Sequence, residues 1–481
     1  MDFEEFILAH DGDDLGRLAL ARDRFAHEVA DFDLALNTLE ARRKLRDKVP
    51  QWWAVPSLRY PLRLSAEQCS SAFTARYKAA VAAGFALHPS KKGFFAEWQV
   101  DATQHPSKSA QNEGWEVKDD AASRKSGQKC GMARCGRIAD LTGGLGVDCW
   151  AFAQVFEEVL YNEMRPELAA AAEHNFKELG LTNVQVRNCE LVPGGVAAVL
   201  GDFRPDVIFI DPARRAADGR KVFRLEDCQP DVLQLLPELL DACPKLILKL
   251  SPMADITLVC KQLGCVREVH VVATDGECKE LLLLLEKGYA GGWRTVICES
   301  GAVMRLPGNG GIIPESSLRD PSHCVAPNGR ILWAPPSYEA EGGHRFGDNT
   351  PIAGQWLFES GKAMMKAGAF GVPCGFGLEK LGQHTHYYVG DSVVEELVPF
   401  GKWFQILEVA PLNNRTVKDL GKRFPQAEVT ARNIPLSSDQ LRAKLKAASG
   451  GQIHIFGLHI DSQKGNFLLI CQKRILPAPL C

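Results

Sequence analysis

The residues of this chain best suited to chemistry lie at 137–148, which read Arg-Ile-Ala-Asp-Leu-Thr-Gly-Gly-Leu-Gly-Val-Asp. An apolar stretch closes on Asp140, and a turn follows at Gly143, Gly144 and Gly146. Residues 149–159 then read as an apolar helix that Asp148 is placed to cap. Strand, glycine turn and helix start together form a nucleotide cradle, because glycine lets a ligand approach the backbone and its free N–H groups. Thr142 adds a hydroxyl and Asp140 an acidic acceptor within the same turn. This is not a dinucleotide fingerprint, since Cys149 stands where the third glycine belongs.

Further candidates follow at the ends of later strands. Glu163 closes the next apolar stretch, about twenty residues past the glycine turn, where an acidic side chain can accept ribose hydroxyls. Asn188, Cys189 and Glu190 end a third strand and should flank the base. Residues 206–215, Asp-Val-Ile-Phe-Ile-Asp-Pro-Ala-Arg-Arg, form a buried strand ending on Asp211 and Pro212. A carboxylate on a proline-stiffened turn is suited to holding an amine. Arg214, Arg215, Arg220, Lys221 and Arg224 crowd the exit of that turn. They could hold phosphates or pair with Glu226 and Asp227. Cys228 is a lone thiol near a helix start, a setting in which most thiols are inert.

The elements that must position these groups alternate. Strands are predicted at 137–141, 158–162, 184–188, 206–210, 245–250, 266–272 and near 280–286, with helices near 148–156, 166–179, 229–242 and 254–263. Alternation of this kind means a parallel sheet covered by helices on both faces. The last two strands are joined through Asp275-Gly276, too short a link for a helical crossover, so the sheet should end in an antiparallel hairpin. Residues 1–98 read as a helical domain, with a second long helix starting at a Ser65/Gln68 capping box and running towards Gly84. Residues 99–135 read as a flexible insertion, 136–290 as the catalytic domain and 291–352 as a Gly- and Pro-rich linker. Residues 353–400 and 401–481 read as two small α+β modules.

Composition narrows the class. At 481 residues with 46% hydrophobic and 24% charged content, the chain suits a globular protein of several units. No signal peptide or membrane-spanning run is evident. The fifteen cysteines form no framework, which points to a reducing, cytoplasmic setting. Cys130 and Cys135 lack the second pair that zinc requires, so no metal is expected. The net charge of −3 hides a basic C-terminal module: residues 401–481 carry twelve Lys and Arg against five Asp and Glu. A basic module on an acidic body suggests a polyanionic partner.

The pattern Asp140-x-Thr142-x-Gly144-x-Gly146 resembles the first motif of class I S-adenosylmethionine-dependent methyltransferases. Together with Leu64-Ser65-x-Glu67-Gln68, Asp211–Arg215, Leu248-Lys249-x-Ser251-Pro252-Met253 and Glu277-Cys278-Lys279-Glu280-Leu281, it is similar to one bacterial family. That family joins the methyltransferase domain to a ferredoxin-like module and a C-terminal THUMP-like domain. Trp356-Leu357-Phe358-Glu359 and Arg432-Asn433-Ile434-Pro435-Leu436 resemble its C-terminal pattern. The resemblance implies a Rossmann-like, seven-stranded α/β sheet ending in an antiparallel hairpin, with S-adenosylmethionine as cofactor. It implies that Asp140, Thr142, Gly143, Gly144, Gly146 and Asp148 surround the methionine part, Glu163 the ribose, and Asn188 and Cys189 the adenine. Asp211, Pro212 and Arg214 would then face the target. Amine-methylating enzymes often have Asp/Asn-Pro-Pro-Tyr/Phe here; with Ala213 and Arg214 at the third and fourth positions, the acceptor is kept but the stacking ring is missing. The implied partner is rRNA or tRNA, held by the basic module and by Arg214, Arg215, Arg220 and Lys221. Three readings stay open: methylation of a base nitrogen in RNA, a non-catalytic RNA-binding or assembly factor with a residual cofactor site, and a methyltransferase for a small molecule or protein.

Overall fold

The computed structural model describes residues 1–25, 27–86, 134–214, 224–306, 331–333 and 350–474. The expected insertion at 99–135 up to residue 133, with Cys130, and the exit residues Arg215, Arg220 and Lys221 lie outside them. The chain divides into two compact units.

The first unit is built mainly from Met1–Glu268 and Leu282–Gly292. Its helices begin with α1 (Phe3–His10), α2 (Leu15–Leu20), α3 (Arg22–Phe25), α4 (Phe32–Lys48) and α5 (Pro50–Trp53). The helix expected from Ser65 is instead two, α6 (Arg63–Gln68) and α7 (Ala72–Ala86). Cys69 takes an extended backbone and ends α6, while Ser71 Oγ accepts the Thr74 N–H at 3.2 Å and starts α7. Leu62, not Ser65, stands at the α6 N-cap.

Strands β1 (Arg137–Asp140), β2 (Glu158–Asn162), β3 (Val184–Arg187), β4 (Val207–Ile210) and β5 (Lys245–Leu250) run parallel in the order β5-β4-β1-β2-β3. Between them lie α8 (Val147–Val155), α9 (Pro166–Glu178), the short α10 (Val196–Leu200) and α11 (Val232–Ala242), with α12 (Ile256–Leu263) after β5. Strands β6 (Val266–Thr274) and β7 (Glu277–Glu286) follow, and β7 lies between β5 and β6. Asp275 and Gly276, at φ 55° and 74°, make the two-residue turn between them, so they form an antiparallel hairpin. Order and hairpin are those of the class I methyltransferase sheet. The N-terminal helices share its core: Trp52, Tyr60 and Ala79 are fully buried in one cluster with Phe152, Phe156, Tyr161 and Phe209.

The second unit holds Val269–Leu281, the segment from Trp293 to residue 306, and the described chain from 331 onward. Where an irregular linker was expected, β8 (Arg294–Glu299) and β9 (Ala302–Arg305) form an antiparallel pair, and β10 (Ile331–Trp333) lies parallel to β9. Ser300 and Gly301, at φ 48° and 97°, close the β8–β9 turn.

Strands β11 (Trp356–Ser360), β12 (Glu379–Lys380), β13 (Tyr387–Gly390), β14 (Gly401–Pro411), β15 (Glu428–Arg432), β16 (Ile453–Ile460) and β17 (Gly465–Lys473) follow. They form a single seven-stranded sheet in the order β12-β13-β11-β14-β17-β16-β15. The two expected modules therefore share a sheet, and Leu357, Tyr387, Phe404 and Phe456 share a core. Helices α13 (Lys362–Lys366), α14 (Val372–Gly375), α15 (Asn414–Arg423) and α16 (Ser438–Leu445) accompany it.

Candidate active site

The glycines of the loop after β1 serve different ends. A Cβ on Gly143 would lie 2.1 Å from the Tyr161 ring, and one on Gly146 2.8 Å from Phe176. These two let the loop lie flat on buried aromatic rings. Gly144 has φ +54°, and a Cβ there would meet nothing closer than the Thr142 carbonyl at 3.9 Å. Its open side is where a ligand can approach the backbone.

Asp140 ends β1 with 1% of its surface exposed and accepts the Thr142 N–H at 3.1 Å. Burial raises its pKa well above the usual carboxylate value, and the Asp148 and Asp211 carboxylates add to this. The Thr142 hydrogen bond and Lys78 oppose the rise. A cationic group placed beside Asp140 would stabilise its ionised form. Thr142 also reaches across the sheet, its hydroxyl accepting the Asp211 N–H at 2.7 Å.

Glu163 is tied to the loop: its carboxylate accepts the Gly144 N–H and the Arg165 N–H, each at 2.9 Å. Asn162, 1% exposed, was not anticipated. Its amide donates to the carbonyls of Leu141 (3.2 Å) and Cys189 (3.0 Å) and accepts the Cys189 N–H (3.1 Å). One side chain thus holds the carboxyl ends of β1, β2 and β3 together. Asn188 donates to the Glu163 carbonyl at 2.7 Å, so the expected ribose and adenine residues adjoin.

Asp148 departs from its expected role. Gly146 occupies the α8 N-cap, and Asp148 lies in the first turn, where a carboxylate still complements the helix dipole. Its oxygens face Lys78 Nζ (2.9 Å) and Ser70 Oγ (2.9 Å) rather than the glycine loop. The signal for Lys78 was a lone lysine in an alanine-rich helix, but nothing in the sequence named its partner.

Asp211 follows β4 half-buried, with Pro212 buried behind it and Ala213 exposed. Its Oδ2 lies 2.8 Å from Lys249 Nζ. The register that pairs Ile210 with Leu248 sets Asp211 and Lys249 side by side at the ends of adjacent strands. A lysine within the apolar stretch Lys-Leu-Ile-Leu-Lys-Leu was the available sign of this. The backbone of Ala213–Arg214 pairs antiparallel with Cys228–Gln229. Cys228 is fully buried.

Among the described residues no group of three His, Cys, Asp or Glu could hold a metal, and no helix is long and apolar enough to cross a membrane. On α15, Arg415, Lys418 and Lys422 are exposed and make no ion pair with a described residue, whereas Arg423 pairs with Glu408 and Asp419.

Residues 401–473 match the family described as THUMP domain-like, and residues 356–397 match a ferredoxin-like domain family. No curated protein matches the chain. Among solved structures, a presumed methyltransferase from Porphyromonas gingivalis W83 superposes with a TM-score of 0.70 at 25% identity, covering 98% of both chains. An rRNA methylase from Streptococcus thermophilus covers 32% of this chain and 87% of its own, at 14% identity and a TM-score of 0.24. M. capricolum TrmK, in complex with the cofactor product S-adenosylhomocysteine, covers 32% of this chain and 63% of its own at 12% identity, also with a TM-score of 0.24. Scores that low carry no weight here; the full-length superposition does.

Proposed function

We propose that this chain, which has the class I methyltransferase fold and carries ferredoxin-like and THUMP-like modules, is an S-adenosylmethionine-dependent methyltransferase acting on a base nitrogen in RNA. The observation that carries this reading is the 2.7 Å hydrogen bond from the Asp211 N–H to Thr142 Oγ. It holds the acceptor carboxylate beside the glycine loop, where donor and target must meet.

The residues present fit the cofactor. Gly144 leaves an open side on the loop, and Asp140 is a buried acceptor suited to an ammonium. Glu163, already bonded to the Gly144 N–H, stands where ribose hydroxyls would be held, with Asn188 and Cys189 beside the base. S-adenosylmethionine, when bound, supplies an electrophilic methyl group on a sulfonium. Asp211 would accept an N–H of the target amine and turn its lone pair towards that methyl group. Asn162 keeps the three strand ends in register while this happens. Arg415, Lys418 and Lys422 are three, four and seven positions apart, so they share one face of α15 and suit a phosphate backbone.

Calorimetric titration with S-adenosylmethionine, followed by transfer of labelled methyl groups to bulk bacterial RNA, tests the reading. A chain that binds no cofactor, or that labels protein or small molecules but not RNA, would refute it.

A further inference from the structure

The missing aromatic ring after Pro212 leaves open how the site recognises its target. At the ring's position the chain has Arg214, and Ala213 before it is exposed and too small to stack on a base. Among the described side chains, the ends of these two adjacent strands offer the polar pair Asp211 and Lys249. Their side chains are 29% and 19% exposed, so the pair is accessible from the carboxyl edge of the sheet. Lys249 Nζ occupies Oδ2 at 2.8 Å, and Oδ1 accepts no hydrogen bond from a described residue. The Asp211 backbone is fixed as well, through Thr142. The pair thus presents one oriented acceptor oxygen with a cation directly beside it.

We propose that Lys249 is the specificity-determining residue of this site. By fixing Asp211 and placing a positive charge next to Oδ1, it admits the uncharged N–H of a nucleobase and rejects alkylammonium acceptors such as lysine side chains and polyamines. Alkylamines are protonated near neutral pH, and a second ammonium at Oδ1 would meet Lys249 as a like charge at close range. The exocyclic amines of bases carry no charge and meet no such repulsion. This inference rests on the methyltransferase reading above.

The test uses the full chain as wild type, Lys249→Met and Lys249→Arg. Calorimetry with S-adenosylmethionine comes first: no binding by the wild type removes the methyltransferase reading and the inference together. Given binding, Lys249→Met should keep cofactor affinity and melting temperature, lose kcat on bulk RNA by about thirtyfold or more, and change KM little. Lys249→Arg, which restores the charge, should recover most of the kcat. A second readout needs no turnover: saturation-transfer NMR with S-adenosylhomocysteine present, using adenosine, cytidine, guanosine and butylamine as probes. The wild type should contact a nucleoside and not butylamine, and Lys249→Met should weaken that preference. Preferred contact with butylamine, or a Lys249→Met chain that behaves as wild type in both assays, overturns the inference and leaves the cofactor reading standing.

Discussion

Lys78 Nζ lies 2.9 Å from Asp148 Oδ1, with the lysine side chain wholly buried and that of the aspartate 10% exposed. Lys78 comes from the N-terminal helices and Asp148 from the first turn after the glycine loop, so the pair fastens one to the other. Removing one partner leaves a buried charge uncompensated, at a cost of about 3–5 kcal/mol. Lys78→Met should therefore unfold at markedly lower urea. The double variant Lys78→Met/Asp148→Leu should recover most of that loss. A double variant that unfolds no later than Lys78→Met would mean that the stranded Asp148 carboxylate is not the source of the loss.

Gly144→Asp should abolish S-adenosylmethionine binding in a folded protein. The positive φ is tolerable for aspartate and the space around it is open, but the new carboxylate would repel that of the cofactor. Gly143→Ala should instead damage the fold, because its Cβ would overlap the Tyr161 ring. Calorimetry and thermal melting separate the two. Unchanged affinity in folded Gly144→Asp would put the cofactor elsewhere.

For Asp211→Ala, single-turnover methylation should fall by about a hundredfold, the effect of losing one well-placed polar group at the reacting centre. Cofactor affinity should barely move. Cys228→Ser should be active, since the thiol is fully buried. A normal Asp211→Ala beside a dead Cys228→Ser would replace nitrogen methylation with attack through a cysteine adduct.

Replacing Arg415, Lys418 and Lys422 with alanine should weaken RNA binding and reduce its salt dependence. Each phosphate contact to a single strand contributes about 0.7 to the slope of log K against log salt, so the slope should drop by about two. Filter binding across a salt series measures it. An unchanged slope would exclude this face of α15.

Acid should destabilise the C-terminal sheet through His454. Burial lowers its pKa to about 4, against 6.5 for the free side chain, while Glu359 and Glu428 partly offset the shift. The ring stacks on Phe456 with centroids 3.9 Å apart and shares a hydrogen bond with Thr430 Oγ1 at 2.8 Å. The unfolded chain takes up the proton first, so stability is retained above pH 6.5 and lost as pH falls towards about 4. His454→Gln should flatten the fall in urea midpoint over that window. An equally steep fall in the variant would assign it to other groups.

The parallel sheet was legible because β1, β2 and β4 are short apolar runs that close on Asp140, Glu163 and Asp211, and the alternation with helices fixes its class. The glycine loop and Asp211 were legible for the same local reason. What escaped depends on partners far along the chain. Lys249 is 38 residues from Asp211 and Lys78 is 70 from Asp148, and no spacing rule connects them. The break at Cys69 was hidden because serines read equally well as helix interior or helix start. Strands β8 to β10 were masked by the Gly- and Pro-rich sequence around them.

The β11–β14 pairing sets Leu357 opposite Phe404, across the boundary between the two matched families. The Gly361 N–H also bonds to the Phe400 carbonyl at 2.7 Å. The two patterns are thus recognised separately but are not interchangeable cassettes. A descendant that lost everything after residue 400 would inherit an open strand edge inviting self-association, and could survive only by recruiting another strand to close it. Evolution could adjust the charges on this unit one residue at a time, but could not shed half of it.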